Sequence, residues 1–270
     1  MSSLIIDIGG TKLRSEFEGI YEEYLSKDKE LIPFLEDKLK RYKNIDTVKV
    51  SYAGQVNKGV ILSSPNIKVK EKNIKEYFEK KYGIVFKIDN DLNCALLAEK
   101  NYFKEKNIAL LFVGSGVGAS VLENAHIVRG EKNIACEIGH IPFKKAPFHC
   151  GCGRDNCIEI FSGGVGLQNW LKYYGYPWMS LEKIKNAKDK NLQSIYKNFL
   201  EALLRAAGTL VTLFNPKILV LGGGIITSNP YILDILKQDI KKYALKQCCE
   251  ELHIVLSKLE NASLQGAKEL

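Results

Sequence analysis

The stretch that decides the fold is Ser3-Leu4-Ile5-Ile6-Asp7-Ile8-Gly9-Gly10-Thr11-Lys12. Its apolar run predicts a strand that ends at a tight turn built on the two glycines. Glycine lets backbone N–H groups approach a phosphate without a Cβ in the way. Asp7 is well placed to hold Mg²⁺ through water, and Thr11 and Lys12 offer a hydroxyl and a cation to phosphoryl oxygens. A plain tight turn is the alternative interpretation.

Two further glycine turns follow apolar strands in the same way. Gly114-Ser115-Gly116-Val117-Gly118 follows the run from Ile108 to Val113, and Gly222-Gly223-Gly224 follows the run from Lys217 to Leu221. One short glycine pattern is a weak signal, but three at strand ends favour phosphate binding over three unrelated turns. None of them has the Walker A or the G-x-G-x-x-G pattern, which argues against P-loop and Rossmann enzymes.

Alternating strand and helix patterns extend from these turns along the chain. A strand, a hairpin around Gly19 and alternating helices and strands precede residue 107, and a second cycle begins at Ile108. Such alternation predicts α/β layers. We expect an N-terminal domain over 1–107 and a C-terminal domain over 108–257, with a loop-rich insertion at 129–166. The last helix, about 258–270, is expected to pack back onto the first domain.

The composition is that of a globular protein, with 46% hydrophobic and 26% charged residues among 270. The 39 basic and 31 acidic side chains give a net charge of +8, but they lie in mixed-sign runs rather than in one basic stripe. No run reaches the ~18 consecutive apolar residues of a membrane span, and the N-terminus has no signal-peptide pattern. We therefore expect a cytoplasmic protein with neither nucleic-acid nor membrane partners.

Three of the seven cysteines, Cys150, Cys152 and Cys157, lie within eight residues and follow His140. One nitrogen and three thiolates suit a tetrahedral Zn²⁺ in a closed, structural site. Buried reduced thiols are the alternative, and His149 competes with His140 as the nitrogen ligand. The dense spacing and a reducing compartment favour the metal.

Asn90-Asp91 lies where a predicted strand ends and a predicted helix begins. Transfer of a phosphoryl group to a hydroxyl requires a carboxylate that takes the proton, and Asp91 could supply it. A helix N-cap is the alternative interpretation, and for the pair taken alone it is the better one.

Four segments, in this order along the chain, resemble the ROK family: Asp7 to Lys12, Asn90-Asp91, Glu137-Ile138-Gly139-His140, and Cys150-Gly151-Cys152-Gly153-Arg154-Asp155-Asn156-Cys157-Ile158-Glu159. That family contains sugar kinases and sugar-responsive repressors. The resemblance implies an α/β fold of two tandem actin-like ATPase (ribonuclease H-like) domains with a cleft between them.

The resemblance also assigns roles to the candidate residues. Asp91 corresponds to the general base. The implied sugar-binding residues are Asn90, Asp91, Glu137, His140 and Glu159, with Asn66 as a weaker candidate, and the implied zinc ligands are His140, Cys150, Cys152 and Cys157. Mg·ATP is expected at Asp7, Gly9, Gly10, Thr11, Lys12, Gly114, Ser115, Gly116, Gly118, Gly222, Gly223 and Gly224.

The expected activity is therefore ATP-dependent phosphorylation of a hexose, with Mg²⁺ and a structural Zn²⁺. Glucose, giving glucose 6-phosphate, is the expected acceptor, and N-acetylmannosamine, fructose and N-acetylglucosamine are the alternatives. A repressor would need a helix-turn-helix before the first strand, for which the sequence leaves no room. A sugar-sensing regulator without catalysis is disfavoured by the retained Asp7, Lys12 and Asp91.

Two further points follow from the resemblance. ROK proteins commonly form dimers, so the resemblance is compatible with a homodimer, although no interface can be read from the sequence. The chain also departs from the family where Ala119 follows Gly118 and where Cys136 precedes Glu137, since glycine is usual at both positions.

Overall fold

The computed structural model describes residues 2–26, 29–64 and 67–270. Within these ranges the strands are β1 (Ser3–Ile8), β2 (Lys12–Phe17), β3 (Ile20–Leu25), β4 (Thr47–Tyr52), β5 (Val56–Asn57), β6 (Val60–Ile61), β7 (Val85–Asn90), β8 (Ile108–Val113), β9 (Val117–Glu123), β10 (His126–Ile127), β11 (Ile218–Gly222) and β12 (His253–Leu256). The α-helices are α1 (Leu31–Arg41), α2 (Ile74–Tyr82), α3 (Asp91–Phe103), α4 (Glu159–Ser162), α5 (Gly164–Tyr173), α6 (Leu181–Asn186), α7 (Lys190–Phe214), α8 (Gly224–Ser228), α9 (Ile232–Asp239) and α10 (Ala262–Ala267).

The chain divides into two compact units. The first contains the described residues of 1–104 together with 128–135 and 259–270, and the second contains 105–127 and 136–258. The first division lies close to the predicted boundary at 107. The segment 128–135 packs with the first unit, although the predicted insertion at 129–166 had assigned most of it to the C-terminal domain.

The first unit is built on a five-stranded sheet in the order β3-β2-β1-β4-β7. The strands β1, β4 and β7 are parallel, and the hairpin β2–β3 adds to β1 in antiparallel fashion. Apolar side chains on one face pack with α1 and α2, around Leu4, Ile6, Val50 and Phe78. This order places the carboxyl ends of the three parallel strands side by side at one edge.

The second unit repeats the same arrangement with the order β10-β9-β8-β11-β12. Here β8, β11 and β12 are parallel, and the hairpin strand β9 is antiparallel to both β8 and β10. The long helix α7 contributes a buried stripe to this unit, including Phe199, Leu203 and Leu210. Two five-stranded mixed sheets with helices confirm the predicted α/β class.

The last helix, α10, packs on α3 in the first unit. Gly266 lies so close to α3 that a Cβ there would collide with the backbone carbonyl of Cys94. Ile5, Leu264 and Ala267 complete a small apolar cluster with the Cys94 side chain. Among the described helices, none is both long enough and apolar enough to span a bilayer.

Candidate active site

Asp7 lies in β1 near its carboxyl end and is almost fully buried. Its Oδ1 accepts a hydrogen bond from the Ser51 hydroxyl at 2.7 Å, and its Oδ2 pairs with Arg14 Nη1 at 2.8 Å. Burial raises the pKa of the Asp7 carboxyl above its ordinary value, while the hydrogen bonds from Ser51 and Arg14 act in the opposite direction. The carboxylate is thus held in one orientation by two neighbouring strands.

Strand register explains why these residues meet. Glu23 pairs with Arg14, Arg14 with Asp7, Asp7 with Ser51, and Ser51 with Asp89, each on adjacent strands of the first sheet. Directly paired residues project from the same face of a sheet, so these five form one polar row across it. The sequence prediction missed Arg14 and Ser51, because their spacing from Asp7 carries no signal until the register is known.

The turn after β1 is compact. The Gly9 N–H donates to the Lys12 carbonyl oxygen at 2.9 Å, and a Cβ on Gly9 would lie 2.9 Å from that same oxygen. Gly10 and Thr11 are exposed at the tip. Lys12 is also exposed, and its ammonium pairs with Glu23 at 2.6 Å, a contact that water screens and that a phosphate could replace.

Asn90 is the N-cap of α3, as the alternative interpretation of the Asn90-Asp91 pair predicts. Its Oδ1 accepts from the backbone N–H groups of Leu92 at 2.9 Å and Asn93 at 3.3 Å. Its Nδ2 donates to the Gly54 carbonyl oxygen at 3.1 Å and to Asp91 Oδ1 at 3.0 Å. The same amide therefore starts the helix and orients the neighbouring carboxylate.

Asp91 has an acidity suited to proton transfer. Burial raises its pKa to about 7, and the negative charge of Asp7 acts in the same direction. The backbone N–H groups of Leu92 and Asp91 and the Asn90 amide oppose the rise. A carboxyl with a pKa near the working pH can both accept and release a proton efficiently. Asn66 lies outside the described residues.

The Gly114–Gly118 turn joins β8 to β9 in the second unit. The Gly114 N–H donates to the Gly116 carbonyl oxygen at 3.0 Å. At the start of α5, the Gly164 N–H donates to the Gly114 carbonyl oxygen and the Val165 N–H to that of Ser115, both at 2.9 Å. Gly164 and Val165, which the sequence prediction did not single out, thus support this turn.

Glu159 links the same turn to the cysteine cluster. Its Oε2 accepts from the Val117 N–H at 3.1 Å, and its Oε1 accepts from the Cys150 thiol at 3.3 Å. A Cβ on Gly116 would collide with Glu159 Oε2, so a side chain there would displace this carboxylate from the Val117 N–H. Glycine at 116 therefore allows the carboxylate to keep its bond to the turn.

The third glycine turn follows β11. Gly223 has φ +87°, a conformation that favours glycine, and precedes the short helix α8. A Cβ on Gly222 would collide with the Phe112 ring, and one on Gly223 would meet the Val113 backbone. Gly224 has open space around its Cα.

The four expected zinc ligands, His140, Cys150, Cys152 and Cys157, come together, with their ligand atoms all within 4.8 Å of one another. The Cys152 and Cys157 sulfurs are 3.4 Å apart, and the Cys150 sulfur is 3.6 Å from His140 Nδ1. The other ring nitrogen, Nε2, lies 3.8 Å from Glu137 Oε2. Three sulfurs and one nitrogen at this spacing are compatible with a structural Zn²⁺.

Two residues named in the sequence analysis, His149 and Cys136, lie close to the cluster along the chain. His149 is exposed and is not part of the cluster that the described residues form, so the family-based choice of His140 agrees with the geometry. Cys136 has φ +64°, a left-handed conformation that glycine adopts more easily. The departure from the family pattern at this position therefore places a side chain on a strained backbone.

A model of the ROK family matches residues 4–270. Among curated relatives, the N-acetyl-D-glucosamine kinase of Photobacterium profundum is 30% identical over 205 residues, which are 70% of this chain and 66% of that protein. The glucokinase of Halalkalibacterium halodurans is 27% identical over 232 residues, 77% of this chain and 69% of that protein. The matches thus span about two thirds of the length of these curated relatives.

Among solved structures, the ROK hexokinase from Thermus thermophilus superposes with a TM-score of 0.83 over 99% of this chain and 96% of that one. At 23% identity this likeness establishes the fold, which confirms the predicted actin-like α/β fold. Because the family model covers nearly all of the sequence, the chain belongs to the ROK family.

Proposed function

We propose that the protein is an ATP-dependent sugar kinase that transfers the γ-phosphoryl group of ATP to a hexose hydroxyl. The observation that carries the proposal is Asp91, whose pKa is raised to about 7 by burial and by the nearby charge of Asp7. In the reaction, Asp91 takes the proton of the sugar hydroxyl while the hydroxyl oxygen attacks the γ-phosphorus and ADP leaves. The kinase names of the relatives support the same reaction.

The nucleotide is proposed to bind through the three glycine turns, and Gly114 and Gly224 have open space around the Cα where a phosphate could approach the backbone. Asp7 is the residue on which Mg²⁺ would depend, through water, because its oxygens keep lone pairs beyond the bonds from Ser51 and Arg14. Bound Mg²⁺ would neutralise charge on the phosphates. Lys12 would exchange its exposed pairing with Glu23 for a phosphoryl oxygen.

The sugar is proposed to be bound by Asn90, Asp91, Glu137, His140 and Glu159. Carboxylates suit hydroxyl recognition because they accept strong hydrogen bonds, and an imidazole that binds a metal through one nitrogen donates with the other. One ring nitrogen of His140 faces the cysteine sulfurs, and the other faces Glu137. This arrangement fits a residue that binds the metal with one nitrogen and the sugar with the other. Asn66 stays a weaker candidate.

The Cys₃His cluster is proposed to hold one structural Zn²⁺. A closed set of four protein ligands leaves no open position, so the ion would stabilise the loop rather than take part in phosphoryl transfer. The segment from His140 to Glu159 would be held by the ion, and the Cys150 sulfur lies 3.3 Å from Glu159 Oε1.

Glucose is the proposed acceptor, with N-acetylmannosamine, fructose and N-acetylglucosamine as alternatives. The relatives include both a glucokinase and an N-acetyl-D-glucosamine kinase, so they support hexoses as a class. A cytoplasmic homodimer is likewise proposed on the family's pattern.

The test is a coupled assay of ADP formation over a panel of hexoses and N-acetylhexosamines at fixed Mg·ATP. We expect sugar-dependent ADP release, greatest with glucose. Release with none of the sugars, alongside sugar-induced thermal stabilisation, would favour the non-catalytic sugar sensor instead. Faster turnover with an N-acetylhexosamine than with glucose would show that the N-acetylhexosamine, rather than glucose, is the acceptor.

A further inference from the structure

Asp89, next to the Asn90–Asp91 pair, is the central acceptor of a hydrogen-bond network in the first unit. Its Oδ1 accepts from the Asn90 backbone N–H at 2.8 Å, from Asn93 Nδ2 at 3.0 Å and from Asn133 Nδ2 at 2.9 Å. Its Oδ2 pairs with Arg129 Nη1 at 2.6 Å. Because Asp89 is buried, these donors rather than water stabilise its charge.

Two of the donors come from the segment 128–135, which packs with the first unit although second-unit residues flank it in sequence. Asn133 has φ +58° and bridges the network, since its Oδ1 accepts from Arg129 Nη1 at 2.7 Å and its Nδ2 also donates to the Val56 carbonyl oxygen at 2.8 Å. The Ala135 N–H donates to the Arg129 carbonyl oxygen at 3.1 Å and so joins the two ends of this segment.

The network continues to the proposed base through Asn90. Asp89 fixes the backbone N–H of Asn90, and the Asn90 side chain donates to Asp91 Oδ1 at 3.0 Å. Any change in the orientation of Asp89 therefore alters the position of the group that holds Asp91.

We propose that Arg129 and Asn133 are positioning residues for Asp91, acting through Asp89 and Asn90. The proposal rests on the proposed kinase function, in which Asp91 takes a proton from the sugar. Displacement of a reacting group by about 1 Å costs up to ~10²-fold in rate, so loss of this support should lower kcat.

Two variants test the proposal in the full-length protein. Arg129→Gln removes the cation that pairs with Asp89, and Asn133→Gly removes the amide while allowing the positive φ. With the best sugar of the panel, each should lower kcat at least about tenfold and leave KM for ATP within about twofold. Arg129→Lys keeps the cation and should recover most of the lost kcat.

Arg205→Gln is the matched control, because it breaks an exposed arginine–glutamate pair with Glu201 on α7. It should leave kcat and both KM values unchanged. The proposal is overturned if folded Arg129→Gln and Asn133→Gly have kcat within about twofold of wild type, or if Arg205→Gln lowers kcat equally. If Arg129→Gln does not fold, the kcat of Asn133→Gly alone decides whether the proposal stands.

Hydrogen exchange gives a readout that does not depend on activity. In both variants a peptide covering 88–96 should exchange faster than in wild type, since the capped amides of Leu92 and Asn93 depend on Asn90. A peptide covering 31–41 should not change. If the wild-type protein phosphorylates no sugar, the proposed function fails and this comparison alone decides the positioning role, with unchanged exchange at 88–96 overturning it.

Discussion

The carboxylate of Glu159 accepts a hydrogen bond from the backbone N–H of Val117 at 3.1 Å, where the second glycine turn leads into β9. Its other oxygen accepts from the thiol of Cys150. One side chain thus stabilises a turn proposed for nucleotide binding, contacts the proposed metal cluster and is itself proposed to bind sugar.

Two substitutions of Glu159 should separate these roles. Glu159→Gln keeps a carbonyl oxygen that can accept from Val117, so we expect KM for ATP to stay near the wild-type value. Loss of the charge should weaken sugar binding by about 1.5–3 kcal/mol, the range for hydrogen bonds to charged groups. Glu159→Ala removes the acceptor as well and should raise both KM values. Equal effects of the two variants on ATP would contradict the bond's role in the turn.

The raised pKa of Asp91 makes a prediction about stability. In the folded protein the pKa is about 7, against an ordinary value near 3.8, so between these pH values the folded state binds more protons than the unfolded state. Stability contributed by Asp91 is therefore lost as pH rises toward 7. Asp91→Asn removes this penalty, and its Tm should exceed that of wild type by more at about pH 8 than at about pH 5. A difference that does not vary with pH would show that Asp91 has an ordinary pKa.

The metal cluster predicts one Zn²⁺ per chain, measured by elemental analysis of protein purified without chelator. Cys152→Ser should lose most of the metal, because it removes one of four ligands. Cys248→Ser is the control and should keep it, since Cys248 is far along the chain and outside the cluster. Chelation should weaken sugar binding before ATP binding. Absence of zinc from the wild-type protein, or full zinc in a Cys150→Ser/Cys152→Ser double variant, would rule out the site.

The left-handed conformation of Cys136 predicts a stabilising substitution. The strain on a non-glycine residue there costs roughly 1–2 kcal/mol, and glycine relieves it but gives part of the gain back as greater freedom of the unfolded chain. Cys136→Gly should therefore raise Tm by about 2 °C, while Cys136→Ala, which keeps a Cβ, should leave it unchanged. A lower Tm for Cys136→Gly would mean that the thiol's packing outweighs the strain.

Much of the fold could be predicted from the sequence because its strongest signals are local. The strand that contains Asp7 and the helix that follows Asn90 appear as β1 and α3. The helix α4 and the start of α5 were missed within the predicted loop at 129–166. The glycine-rich boundary at 163–166 lacks helical periodicity, and the bonds that Gly164 and Val165 make to the second glycine turn are tertiary contacts.

The candidate site, like the fold, contains some residues that the sequence predicts and others that it does not. Motif residues such as Asp91 and the cysteines could be named because their chemistry depends on type and spacing. Arg14, Arg129 and Asn133 could not, since each meets its partner only through sheet register or through a distant segment that folds onto the first unit. Contacts between residues far apart in sequence carry no local pattern.

The most direct test of Asp91 as the proton acceptor is to compare kcat for sugar phosphorylation between the Asp91→Asn variant and the wild-type protein. Sugar affinity is measured on the same preparations. The asparagine keeps the shape of the side chain but cannot take the proton. We expect kcat to fall at least ~10²-fold while sugar affinity changes little. Turnover close to wild type in a folded Asp91→Asn protein would contradict the mechanism and remove Asp91 from it.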